Sequence, residues 1–214
     1  MSTRPALLAR GPWAPARVES SWREARYEPA PHLARQADAA IARLVSRGSP
    51  SHDGFAARLA AFEARADGLR LELETARWSL RLLDESCGSL VAVCLVRAGD
   101  GRWLAGRRAG WVSTWAERWS LGAAGAVEVG EDPVATLTRE LHEEWGLEPD
   151  ALTVEALMRL HNDTIMLIGL ATVADTCVPS PDAEHDDWAW WPADVRMWPP
   201  DADRQLRRLA ALLS

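Results

Sequence analysis

The chain has 214 residues, of which 48% are apolar and 26% charged, with a formal net charge of −7. That balance is globular and leaves room for one large domain or for one domain with a smaller partner. The negative charge disfavours non-specific binding to a nucleic-acid backbone, and because every Lys+Arg position is arginine, no lysine is available as a nucleophile or Schiff base.

Residues 1–30 are Pro-rich and read as irregular; their apolar piece is broken by Arg, Gly and Pro and lacks a signal-peptide core. HLARQADAAIARLVSRGSPS follows as a helix, with Leu33, Ala37, Ala40, Ile41 and Leu44 at helical spacing and Gly48 and Pro50 as its stop. DGFAARLAAFEARADG suits a strand or a helix. LRLELE alternates, with Leu69, Leu71 and Leu73 on one face, and predicts a half-buried strand. TARWSLRLLDES leads out of this unit. From Ser89 the texture changes: LVAVCLV and WLAGRRA are two strands about an Asp100-Gly101 hairpin. GWVSTWAERW reads as a loop and WSLGAAGAV as a short strand. A helix is predicted over 133–145, capped by Asp132, begun by Pro133, stopped by Gly146, and buried along Val134, Leu137 and Leu141. LTVEALMRLH and TIMLIGLATVA are strands around an Asn162-Asp163 turn, DWAWWP is a further strand, and DADRQLRRLAALLS closes as an amphipathic helix. Strands around a few helices without βαβ alternation indicate an α+β sandwich, divided as an extension over 1–87 and a second unit over 88–214.

Cys87, Cys94 and Cys177 have no CxxC spacing, which argues against a zinc site or a disulfide framework. No apolar run approaches the roughly 20 residues that span a bilayer. The expectation is a soluble cytoplasmic protein with no membrane or nucleic-acid partner. A homodimer is compatible with the sequence, which does not fix the oligomeric state.

The helix over 133–145 carries a puzzle. Glu140, Glu143 and Glu144 fall at i, i+3 and i+4, where like charges cost about 0.2–0.5 kcal/mol per pair. Such a cluster becomes useful when a hard cation joins it, because Mg²⁺ favours oxygen ligands and is often held by a few carboxylates together with substrate phosphate. The wider stretch reads Gly125, five residues, Glu131, seven residues, Arg139-Glu140-Leu141, one residue, Glu143-Glu144, one residue, Gly146-Leu147. Every fixed position of that run resembles the signature box of the Nudix family.

The resemblance implies an α/β/α sandwich with a mixed sheet over roughly residues 88–200. It also implies hydrolysis of a diphosphate linked to another moiety, with Mg²⁺ or Mn²⁺ as cofactor. By position, Glu140, Glu143 and Glu144 match the metal ligands, Ala124 the backbone carbonyl donor, and Arg139 with Glu131 an orienting pair. Gly125 and Gly130 are expected to shape the loop that brings that carbonyl to the helix. Family members take the general base either from the first box glutamate, here Glu140, or from a late loop. SPDAEHDDWAWWP resembles that loop and makes Glu184 the candidate, with Asp186 and Asp187 behind it. His142 is read as a surface residue. The entrance Leu121-Gly122-Ala123-Ala124-Gly125 departs from the Leu-Pro-Gly-Gly of many members, which bears on loop shape and substrate fit.

Isopentenyl diphosphate isomerases share the fold but place a cysteine on the strand entering the box, where RWSLGAAG has none. A decapping enzyme needs a basic RNA channel, coenzyme A diphosphatases carry a further motif absent from WVSTWAERWSLGAAG, and a silent nucleotide-binding module would not need the intact glutamates. The segment before the box domain resembles an extension found in Nudix enzymes acting on UDP-sugars. Nucleotide-sugars are therefore the first expected substrate class, and ADP-ribose or other dinucleotides the second. Arg107 and Arg108 are candidates for phosphate binding, Trp111 and Trp115 for stacking on a base.

Overall fold

The computed structural model describes residues 5–49 and 52–213. Its elements in chain order are β1 (Ala6–Trp13), β2 (Val18–Arg26), α1 (Pro31–Ser46), β3 (Phe55–Arg65), β4 (Gly68–Arg77), β5 (Leu90–Ala98), β6 (Trp103–Arg108), β7 (Trp119–Leu121), β8 (Ala123–Ala126), α2 (Pro133–Trp145), β9 (Ala151–Arg159), β10 (Ile165–Val173), β11 (His185–Trp191) and α3 (Arg204–Leu212). The larger sheet runs β1-β9-β10-β5-β6-β11, with β7 on β6 and β8 on β5. It is mixed: β10 lies parallel to β5, while β9, β8 and β6 pair antiparallel to their neighbours. A second sheet of three strands has the order β2-β4-β3.

β5 explains the sandwich. Its residues are apolar in an unbroken run because both faces are covered. Leu90, Ala92, Cys94 and Val96 face a core shared with Leu137, Leu141 and Trp145 of α2. Val91, Val93 and Leu95 face a second core with Leu206 and Ala210 of α3 and the buried rings of Trp103, Trp191 and Trp198. The fold is thus the α+β sandwich anticipated from the sequence, one helix on each face of the sheet.

Several expectations need correction or completion. The opening is not irregular: β1 and β2 occupy most of residues 6–26, while residues 1–4 lie outside the described residues. Each is an edge strand of its sheet, where a proline's missing N–H is tolerated and outward residues stay polar, so neither strand shows a clean apolar alternation. The ambiguous Ala-rich segment is β3, buried at Ala56, Ala57 and Leu59 and exposed beyond. The expected short strand before the box is two strands, β7 and β8, broken at Gly122, whose φ of 60° and close approach to the Cys94 carbonyl leave no room for a side chain. α1 forms as predicted and its chain turns at Gly48 (φ 79°), whereas Pro50 lies outside the described residues. Among the described residues no helix is long and apolar enough to cross a membrane.

The smaller sheet shares the main core through Leu69, Leu71 and Leu73. It is tied to the box-bearing part by Ala57 N–H to the Val127 carbonyl (2.8 Å) and Leu59 N–H to the Gly88 carbonyl (2.9 Å). Beside this seam Glu74 is buried and held by Arg23 (2.6 Å) and Arg58. Burial pushes its carboxyl up, yet the two guanidiniums outweigh burial and hold it below its ordinary value of 4.5. A depressed folded value means that the stabilisation is present at neutral pH and is lost as pH falls from about 4.5 through the folded value. Glu74→Gln strands Arg58 without a counter-charge and is expected to cost about 2–4 kcal/mol at pH 7, slightly under a fully buried pair because Arg23 is solvated. Denaturant melts should find that the penalty shrinks at pH 3; an unchanged penalty there would remove the ion pair as its cause.

Candidate functional site

α2 presents the glutamates because its ends are fixed. Asp132 accepts the Val134 N–H (2.9 Å), Pro133 begins the helix, and Gly146 ends it in the left-handed region (φ 62°) with its N–H on the His142 carbonyl. With Leu137, Leu141 and Trp145 anchored in the core, the opposite rotation brings Glu140 and Glu143 beside β8, while Glu144 is drawn inward.

Arg139 organises the group. Its Nε donates to Glu131 Oε1 (2.8 Å) and its second nitrogen to Glu131 Oε2 (3.2 Å), a bidentate clasp, while its remaining nitrogen meets Glu140 and Glu143 at 2.8 and 2.9 Å. Glu131 is braced in turn by the Glu128 N–H (3.0 Å). Glu140 is buried enough that desolvation raises its carboxyl despite Arg139. Gly125 lies in β8 directly under it: a β-carbon there would collide with the Glu140 carboxylate. The glycine that opens the box therefore makes room for a side chain, and Gly130, at φ 83°, is the one that shapes the loop.

Glu144 is 4% exposed. Its Oε1 accepts the Ala124 N–H (3.1 Å), and its Oε2 is buried with no hydrogen-bond partner. Burial pushes this carboxyl well above its ordinary range, against the pull of Ala124 and Arg108. Nearby, at 3.8 Å, is Nε2 of His185, also buried and without a hydrogen bond. His185 packs at a tilt of 41° against Trp145 with ring centroids 4.4 Å apart, its Nδ1 is 3.3 Å from Asp182 Oδ1, and burial lowers its pKa. Sequence reading passed over His185; the signal was an imidazole between the late-loop acids and the Trp-rich strand.

A cleft of about 1340 Å³ opens over these groups. Glu140, Glu143, Glu144 and Arg139 line it, as do Glu184, Arg108, Trp111 and Trp115. Arg108 is paired with Glu184 Oε2 at 3.0 Å, so these two candidates, assigned separately from sequence to phosphate and to base, are partners. Arg107 is not on the lining and sits 3.8 Å from Asp186. Asp187 accepts the N–H of Trp188. Trp111 is 45% exposed, whereas the guanidinium of Arg118 lies 5.2 Å over the Trp115 ring. His142 is on the surface against Glu148 (2.8 Å). Sequence reading missed Arg81, which reaches the cleft from the turn Trp78–Leu82.

Among the described residues, no three His, Cys, Asp or Glu side chains converge closely enough to enclose an ion unaided. Arg139 accounts for this, since its guanidinium draws Glu140 and Glu143 onto itself. The donor set nonetheless suits a hard divalent cation. It consists of carboxylates, and one buried oxygen, Glu144 Oε2, has its lone pairs unused; such a cation takes a few carboxylates and completes its shell with water and phosphate.

The arrangement is that of a hydrolase of phosphoric anhydride bonds. A NUDIX domain model matches residues 89–213, which takes in β5 through α3, and the chain belongs to the Nudix family. No curated protein matches it. Among solved structures it is similar to a MutT protein from Methanosarcina mazei Go1, at 20% identity over 57% of this chain and 90% of that one with a TM-score of 0.48. It is also similar to a C. elegans Ap4A hydrolase, at 20% identity over 57% and 92% with a TM-score of 0.45. A third is the NUDIX domain of Shewanella oneidensis NrtR complexed with ADP ribose, at 16% over 58% and 85% with a TM-score of 0.45. Likeness at this level says nothing about substrate.

Proposed function

We propose that this protein hydrolyses the diphosphate bond of a nucleoside diphosphate linked to another moiety, with nucleotide-sugars as the first substrate class and ADP-ribose or another dinucleotide as the second. The reading rests on one observation above the others: Glu144 Oε2 is a buried carboxylate oxygen without a hydrogen-bond partner, on the lining of a large cleft that also carries the half-buried Glu140. An unsatisfied buried acceptor is costly, and a cation with a phosphate ligand would satisfy it. The cleft volume of about 1340 Å³ is ample for a ligand of dinucleotide size.

In this reading Glu140, Glu143, Glu144 and the Ala124 carbonyl hold Mg²⁺ or Mn²⁺. When bound, the cation would neutralise charge on the diphosphate and make water a better nucleophile. Arg139 and Glu131 keep Glu140 and Glu143 in place between turnovers. Glu184, on the facing loop, takes the proton from the attacking water, and Trp111 offers an exposed ring to a base. The Cys94 thiol is buried, and burial pushes it up to about 12, which disfavours the cysteine chemistry of an isomerase. The unit over 88–214 does this chemistry, with 1–87 as an extension packed against it.

A panel of nucleotide-sugars, dinucleotides and oxidised nucleotides, assayed with Mg²⁺ or Mn²⁺ by coupled phosphate release, should identify a hydrolysed diphosphate. Turnover should vanish with chelator and return with the ion. Undiminished turnover after exhaustive metal removal would sink the metal assignment, and no turnover of any member would sink the diphosphatase reading.

A further inference from the structure

The cleft has a wall that the family's domain does not supply. Trp78 and Arg81 line it from the turn Trp78–Leu82, and Phe55 and Arg26 from β3 and β2. All four precede residue 89, where the match to the family begins. The extension is fixed in this place by the bonds from Ala57 and Leu59 already described and by the bridge between Ala56 and Glu128, immediately beside the box loop.

Charge distribution in the cleft leaves a gap that this wall fills. A diphosphate approaching Glu140, Glu143, Glu144 and Glu184 meets four carboxylates. Arg139 is taken up by Glu131, Glu140 and Glu143, and Arg108 by Glu184. Arg81 differs from both. Among the described residues it makes no hydrogen bond or ion pair; its guanidinium lies 5.3 Å over the Trp78 ring, three residues back on the same turn. It is half-buried, on the lining of the same cleft that carries Glu140 and Glu184. A guanidinium resting over an indole without a carboxylate partner leaves N–H donors for a bidentate anion. Desolvation by the surrounding walls strengthens such a contact relative to water.

We propose that Arg81, presented by the extension on Trp78, binds phosphate oxygens of the substrate's diphosphate from the extension's wall of the cleft, so that the active site is completed by residues outside the Nudix domain. The inference deepens the diphosphatase reading and rests on it. Arg81 is a substrate-binding residue and takes no part in proton transfer. Its loss should therefore weaken binding and leave the chemical step nearly intact.

The test uses the full chain with the substrate found by the panel, and imidodiphosphate with Mg²⁺ as a hydrolysis-resistant probe read by calorimetry. Arg81→Gln should raise both KM and the imidodiphosphate Kd by about 10–100-fold, the scale of lost hydrogen bonds to a charged group, with kcat within about threefold. Arg81→Lys should fall between, since it keeps the charge and loses the fork. Arg70→Gln, which breaks exposed pairs with Glu19 and Glu63 on the extension's outer side, should behave as wild type. Unchanged KM and Kd in Arg81→Gln, with wild type active, overturn the role of Arg81 alone. A melting temperature several degrees below wild type in both Arg81 variants makes the residue structural and also overturns it. A wild type that neither hydrolyses a diphosphate nor binds imidodiphosphate overturns this proposal together with the function it rests on.

Discussion

Glu184→Gln is expected to lower kcat by about 10²–10⁴, the usual contribution of general base catalysis. The substitution isolates basicity because the loop around it is held by other groups. The Glu184 N–H donates to Asp182 Oδ1 (2.9 Å), and its carbonyl accepts the Ala109 N–H (2.7 Å). Its carboxylate rotamer is set by Arg108, 3.0 Å away. A glutamine keeps that shape and still offers Arg108 a carbonyl oxygen, while its amide cannot take a proton from water. Glu184 belongs to the loop before β11 and not to α2, so metal affinity should change little. Steady-state kcat at saturating substrate and Mg²⁺, with the metal's own titration alongside, makes the measurement. A loss below threefold would return the role to Glu140 or to Asp182, which also lines the cleft.

The sequence disclosed those parts of the site whose causes are local. α2 was readable because its cap, its proline, its left-handed stop and its apolar stripe all lie within fifteen residues and agree. The glutamates followed from it. What could not be read depends on contacts between distant segments. Gly125 looked like a turn glycine, and its meaning, room for Glu140, appears once β8 and α2 are packed. The pairing of Arg108 with Glu184 joins residues that are neighbours only through the antiparallel register of β6 and β11. β1 and β2 were hidden because they are edge strands, β1 carrying Pro12 and β2 a largely polar, exposed outer run. Arg81 had a faint local signal, a Trp and an Arg three residues apart on one turn. Its position at the cleft comes from the seam between β3 and the box loop.

Glu144→Gln is expected to abolish most activity and yet to raise the stability of the metal-free protein. From sequence the gain appeared as relief of like-charge contacts along α2, about 0.5 kcal/mol. Burial makes it larger. Glu144 is 4% exposed, one oxygen has no hydrogen-bond partner, and desolvation is the leading reason its charged form is disfavoured. An ionised carboxylate in such a place costs several kcal/mol before compensation. Glutamine removes the charge and keeps the acceptor for the Ala124 N–H. It also places an amide donor where Oε2 now faces His185 Nε2 at 3.8 Å. That nitrogen is an acceptor if Nδ1 donates to Asp182, the role a carboxylate partner requires of it. Two buried atoms without partners then satisfy one another. The expected gain with chelator is on the order of 1–2 kcal/mol, or about 2–8 °C in melting temperature for a chain of this size. Saturating Mg²⁺ should reverse the order, because a ligand of the native state stabilises by mass action and the variant has lost a donor for it. Arg139 bears on Glu131, Glu140 and Glu143 and makes no ion pair with Glu144, so its contacts do not oppose the gain. Melting curves of both proteins with chelator and with Mg²⁺, beside their kcat values, decide the matter. A variant that melts well below wild type without metal would show that the Glu144 charge has a structural task, and the idea that this acidic helix face trades apo stability for metal binding would be wrong.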